Sequence, residues 1–215
     1  MEPSHARRYK NSEIEVIVAK ILSEAYPAGI SIPVDIDWLA ERNELVDNII
    51  PADLLEDKFN VPAALVSKSS GHADIFVDDD TITFQRARAN FSIAHELGHV
   101  VLHAQVWENC RTIEDSIVLR SRITRAYNFI ERNANYFAGA ILIPQRTIVN
   151  DTTKVYEFLA KERNYHANLI LNQLCATLAR RYMVNTQPMQ IRLEQLNLMK
   201  KIQRALHSNS PYLDT

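Results

Sequence analysis

The chain has 215 residues, a formal charge of −2 at pH 7 and only four glycines, where average usage of about 7% gives roughly fifteen. That shortage excludes a dinucleotide-binding fingerprint and a P-loop, which need clustered glycines, and it disfavours a turn-rich all-β fold. With 47% hydrophobic and 23% charged residues, the chain reads as one generous globular domain, and near-neutral charge speaks against an electrostatic nucleic-acid binder.

Residues 1–11 are polar, with a small basic arm at Arg7, Arg8 and Lys10. A helix is expected over 12–26, capped by Ser12, with Ile14, Ile17, Val18, Ile21 and Leu22 on one face. Pro27 and Gly29 stop it. A second helix is expected over 33–43, with Pro33 in its first turn and Val34, Trp38 and Leu39 on its apolar side. Segments 61–68, 73–80 and 81–85 are short and rich in β-branched or aromatic residues, and read as about three strands of a small antiparallel sheet. If the outer strand of 73–85 is an edge, an extended peptide can pair with it. Helical periodicity then covers 89–104, 122–139, 153–163, 167–182 and 188–206. The stretch 105–120 reads as a connection with room for one helical turn, and 207–215 as a loose tail. The class is α+β.

Cys110 and Cys175 lie far apart without zinc-ribbon spacing, and read as reduced thiols of a cytoplasmic protein. The first twenty residues lack the apolar core of a secretory signal, and no apolar run has the roughly 18 residues of a membrane span.

The chemistry concentrates at His95-Glu96-Leu97-Gly98-His99, an HExxH on an expected helix. His95 and His99 fall one turn apart on one face, where two imidazoles can hold a single Zn²⁺. Glu96 lies on the flank, placed to take a proton from a zinc-acidified water attacking a carbonyl. HExxH also arises by accident, so context matters. Phe91, Ile93, Ala94, Leu97, Val100, Val101 and Leu102 make this helix core-like, and burying two histidines and a glutamate there unpaired is costly. A catalytic zinc takes a third protein ligand. Gln105 stands where the metzincin pattern would place a third histidine, so that pattern is excluded. His103, Glu108, Glu114, Asp115 and Glu131 are the remaining candidates. His103 is two turns from His95, too far while the helix is straight. Glu131 shares a helix face with Tyr127, Ala134, Asn135 and Ala138, a face suited to close helix approach; the plain alternative is an exposed glutamate beside Arg132.

AHELGHVVLH (94–103), approached by RARANFSI (86–93) and followed by ERNANYFAGAILIP (131–144), resembles the ImmA/IrrE family of bacterial and phage metallopeptidases. Weaker likeness extends over about 30–200. The departures are Gly139-Ala140 for a small-acidic pair and Asn197 for a late glycine. The resemblance implies a zincin-like fold, with His95, His99 and Glu131 as Zn²⁺ ligands and Glu96 as catalytic base. It implies an intracellular zinc endopeptidase whose partner is a helix-turn-helix repressor or an antitoxin-like protein encoded nearby. His103, Asn135 and Tyr127 are second-shell or substrate-orienting candidates: Asn135 as a brace for Glu131, Tyr127 as an oxyanion donor.

The expected organisation is a metallopeptidase domain over 1–150, a helix-turn-helix-like helical part over 151–206, and the tail. The segment before Ile30 is too short for a separate DNA-binding module. Arg180, Arg181, Arg192, Lys200, Lys201 and Arg204 read as a solvated basic face, with direct DNA binding not expected. The rival reading is a non-catalytic regulatory module that binds a protein or DNA on the same fold.

Overall fold

The computed structural model describes residues 6–122, 128–162, 167–208 and 210–213. The chain divides into two compact units: Met1–Ser31 with Asp35–Leu142, and Ile32–Val34 with Ile143–Thr215. The first unit holds α1 (Asn11–Ala25), α2 (Ile36–Glu41), β1 (Val46–Ala52), α3 (Leu55–Phe59), β2 (Ala63–Ser67), β3 (Ala73–Asp78), α4 (Asp79–Phe84), α5 (Arg86–Trp107), α6 (Ile113–Arg122) and α7 (Asn128–Leu142). The second holds α8 (Gln145–Glu162), α9 (Ala167–Tyr182), α10 (Thr186–Gln195) and α11 (Leu198–His207). The α+β class stands, with a three-stranded sheet packed on α5. No described helix is long and apolar enough to cross a membrane.

Helix α1 buries Ile14, Val18 and Leu22, as its periodicity predicts. Ser12 does not cap it. Lys10 occupies that position, and its N–H donates to the Glu13 carboxylate at 2.7 Å. Helix α2 is shorter than expected. Asp35 caps it by accepting from the Trp38 N–H at 3.1 Å, so Pro33 precedes the helix rather than opening it.

The sheet order is β1-β3-β2. Strands β2 and β3 pair antiparallel, as expected, but β1 pairs parallel with β3. The third strand is therefore Val46–Ala52 and not 81–85. Asp78 explains the change. Its Oδ1 accepts from the Glu56 N–H and its Oδ2 from the Thr81 N–H, each at 3.0 Å. That cap turns Thr-Ile-Thr-Phe into α4 against its β-branched preference. Strand β3 is central, so it offers no free edge to a peptide. Beyond α5, the Cys110 carbonyl accepts from the Ser67 N–H at 2.7 Å, and Arg111 Nη1 donates to the Ser67 carbonyl at 2.9 Å. The chain thus covers the outer side of β2 at that residue.

The region 105–120 holds more structure than one turn. Thr112 and Asp115 form a reciprocal cap, Asp115 N–H to Thr112 Oγ1 at 3.1 Å and Thr112 N–H to Asp115 Oδ2 at 3.0 Å. They launch the ten-residue α6.

In the second unit, α8 begins at Gln145, eight residues before the expected start and just after Pro144, whose carbonyl accepts from the Thr147 and Ile148 N–H groups. Ile148, Thr152 and Tyr156 are buried along it. The expected helix 188–206 is two helices, parted at Asn197 in left-handed conformation (φ 58°). The tail is anchored where described: Tyr156 Oη donates to the Ser210 carbonyl at 2.7 Å, and Leu213 is buried. Arg192 is not part of a solvated face. It is fully buried, and its Nε donates to the Ile143 carbonyl at 3.0 Å. Truncating it leaves a cavity and removes a buried donor. Arg192→Ala is expected to lower stability by about 2–4 kcal/mol, read as the urea-unfolding midpoint; an unchanged midpoint contradicts the buried role.

Candidate metal centre

Two helices build the site, and glycine sets their distance. A Cβ on Gly98 would stand 3.1 Å from Phe137 Cδ1 and 3.2 Å from the Ala134 backbone. Only glycine leaves that contact unstrained. Helix α7 therefore lies tightly against α5, one turn beyond Glu131. Gly139 is also buried on α7.

His95 and His99 point their Nε2 atoms together, 2.9 Å apart. Glu131 reaches across from α7, with Oε2 3.2 Å from His95 Nε2 and Oε1 3.4 Å from His99 Nε2. These three residues form a cluster whose ligand atoms all lie within 4.8 Å of one another. Tetrahedral zinc with bonds of about 2.0–2.1 Å separates neighbouring ligands by about 3.3 Å, close to these spacings. His99 is fully buried, whereas His95 and Glu131 keep 12% and 27% of their side chains exposed. Two of the three side chains thus stay partly reachable by solvent, as a catalytic rather than a closed structural site requires.

The surroundings fix the ligand forms. His95 Nδ1 lies 3.1 Å from Asn135 Oδ1, an arrangement that places the proton on Nδ1 and leaves Nε2 free to ligate. Asn135 therefore braces His95 rather than Glu131. The Trp107 ring lies 4.0 Å from that of His99, tilted by 34°. Burial, and then His95 beside it, lowers the His99 pKa to about 4, so its imidazole is neutral at pH 7 as metal binding requires. Burial works against the charge on Glu131, but the two imidazoles within 3.4 Å of its oxygens outweigh it and hold the carboxyl far below its ordinary range.

Glu96 is buried and stands apart from the cluster. Its Oε1 accepts from Arg120 Nη2 on α6. Burial opposes its charge, yet Arg120 and then the two histidines keep the carboxyl below its usual value. Arg120 is the residue that sequence reasoning missed. The Thr112–Asp115 cap was the available signal that 113–122 is a helix able to present it.

His103 is not drawn into the cluster, although α5 loses helical geometry there (φ −140°, ψ 29°). It is buried between Tyr9 and Phe129, with ring centroids 5.6 and 6.2 Å away, and the Asn133 amide lies 3.4 Å from its Nε2. Glu108 and Glu114 are exposed, and Asp115 is spent on the α6 cap. Tyr127 lies outside the described residues.

Two histidines one turn apart and a glutamate from a second helix, with a further glutamate beside them, define a zinc-hydrolase type of centre. The family model of the IrrE N-terminal-like domain (Peptidase_M78) matches residues 72–194, which include both helices of the site. The chain belongs to this family, whose function is of the zinc metallopeptidase type. None of the curated proteins matches the chain significantly.

Gly98→Leu is expected to push α7 off α5 and weaken zinc binding by about tenfold or more while far-UV circular dichroism stays helical. Chelator competition reads the first effect, and wild-type affinity would contradict the packing argument. A pH dependence follows as well. Burial, and then His99, lowers His103 to about 4, matching His99. Both folded values lie below the unfolded value of about 6.5, so the unfolded chain binds more protons in between. Stability of the metal-free protein should fall as pH drops from about 6.5 towards 4, by up to about 1.4 kcal/mol per pH unit for each histidine. His103→Phe should remove its share of that slope in urea titrations.

Proposed function

We propose that the protein is a cytoplasmic zinc-dependent endopeptidase. It makes limited cuts in a protein partner, a helix-turn-helix repressor or antitoxin-like protein encoded nearby. The observation that carries this reading is the convergence of His95, His99 and Glu131 beside a fourth group, Glu96, that is not one of the cluster's ligands. Structural zinc sites use four Cys or His ligands; among the described residues this cluster has three protein donors, two of them partly exposed.

His95, His99 and Glu131 would hold the ion. Zinc there supplies a Lewis acid that acidifies a water and polarises the scissile carbonyl. Burial keeps His99 neutral. Asn135 orients the His95 ring. Glu96 accepts the proton of the attacking water and passes it to the leaving amine nitrogen as the C–N bond breaks.

The test pairs wild type with Glu96→Gln. Wild type should bind zinc, cleave the helix-turn-helix protein from the adjacent reading frame, and lose cleavage on chelation. Glu96→Gln should keep zinc and lose about 10²–10⁴-fold in cleavage rate, followed by mass spectrometry of the fragments. Cleavage unaffected by Glu96→Gln rejects the peptidase reading. A partner that binds equally well to both proteins and is never cut supports the non-catalytic module instead.

A further inference from the structure

The Glu96–Arg120 pair differs from an ordinary structural ion pair. An Arg–carboxylate pair that serves stability commonly closes with two parallel hydrogen bonds. Here one guanidinium nitrogen meets one carboxylate oxygen. Arg120 Nε and Glu96 Oε2 are both buried with no hydrogen-bond partner among the described residues. Only 2% of the Glu96 side chain and 19% of that of Arg120 are exposed. An orphaned buried carboxylate oxygen is costly unless something else uses it.

A second observation bears on the same atoms. Glu96 adjoins His95 in the chain and carries the same ligand chemistry as Glu131. Yet it is outside the set of donors that converge within 4.8 Å. Helix geometry sets Glu96 on the flank of the His95–His99 face, and a contact on that flank fixes where its carboxylate rests. Among the described residues, the bond to Arg120 is the hydrogen bond its carboxylate makes.

We propose that Arg120 is a positioning residue for Glu96. Its guanidinium fixes Oε1 and so keeps the carboxylate off the metal cluster. Oε2 is left as the oxygen able to take a proton. Arg120 thus holds Glu96 in the role of base, while Glu131 is set among the ligands by its own contacts to His95 and His99. Helix α6 is the device that delivers it, launched by the Thr112–Asp115 cap. This inference rests on the zinc-site reading above.

The test uses the full chain loaded with cobalt(II), whose absorption spectrum reports ligand number and type. Glu96→Gln should leave the wild-type spectrum and cobalt affinity unchanged, because Glu96 is not a ligand. Arg120→Gln should shift the spectrum and tighten cobalt binding by about tenfold, as the freed carboxylate joins the ligand set. The double variant should return to the wild-type spectrum. Arg120→Lys, which keeps a cation facing Oε1, should resemble wild type.

An Arg120→Gln spectrum identical to wild type overturns the proposal. A shifted Glu96→Gln spectrum also overturns it, and where Arg120→Gln fails to fold, an Arg120→Lys spectrum that departs from wild type does so. A wild-type chain that takes up neither cobalt nor zinc overturns the metal-site reading itself. That outcome is distinct from one in which wild type binds cobalt and Arg120→Gln changes nothing.

Discussion

Two helices far apart in sequence meet at Gly98 with almost no side chain between them. A Cβ there would press on Phe137 and on the Ala134 backbone at 3.1–3.2 Å. Glycine inside a helix costs about 1 kcal/mol relative to alanine, and this chain uses only four glycines in all. The cost is offset by what the approach permits. A glutamate side chain is short, and Glu131 spans from α7 to within 3.2–3.4 Å of both imidazoles. Move α7 outward by the width of a methyl group and that reach is lost. Ala134 and Ala138 keep the facing side of α7 equally small, and both are fully buried.

Charge is the second constraint. Glu96 and Glu131 are held ionised and His99 neutral. Arg120 supplies one positive charge against the two carboxylates. Two carboxylates and one guanidinium thus meet beside two imidazoles in a largely buried setting, an arrangement that a bound divalent cation helps to balance. The same arrangement separates the two carboxylates by partner. One faces imidazoles that are free to ligate, and the other faces a guanidinium that cannot.

Much of this was legible in the sequence, and the reasons are local. HExxH needs only helical geometry to bring His95 and His99 together, so spacing alone placed them. Glu131 was one of five candidates by residue type, and the small residues around it marked a close-packing face. The failures share a different cause. Residues 81–85 are β-branched, yet Asp78 caps them into α4 from outside the segment. Strand Val46–Ala52 pairs parallel across an intervening helix and strand, which no short window reveals. Asn197 splits a continuous apolar pattern by adopting a left-handed conformation. Arg120 lay in a stretch whose helix depends on a Thr–Asp cap, and its meeting with Glu96 depends on tertiary packing.

The preference for a protein partner over DNA draws support from α10. A recognition helix presents cations and polar groups to phosphates and base edges. The exposed positions of α10 are Thr186, Gln187, Ile191, Glu194 and Gln195, with no cation among them. Its one arginine, Arg192, is turned inward to the Ile143 carbonyl. On the preceding helix Arg181 is engaged by Asp151 at 2.7 Å. The basic composition of 178–206 thus overstates the positive charge that α10 itself displays. An exposed isoleucine flanked by uncharged polar groups and a glutamate fits a protein surface better than a phosphate backbone. On the proposed reading, partner recognition at α10 would rest on shape and apolar contact, and the salt dependence of partner binding is the property that separates the two cases.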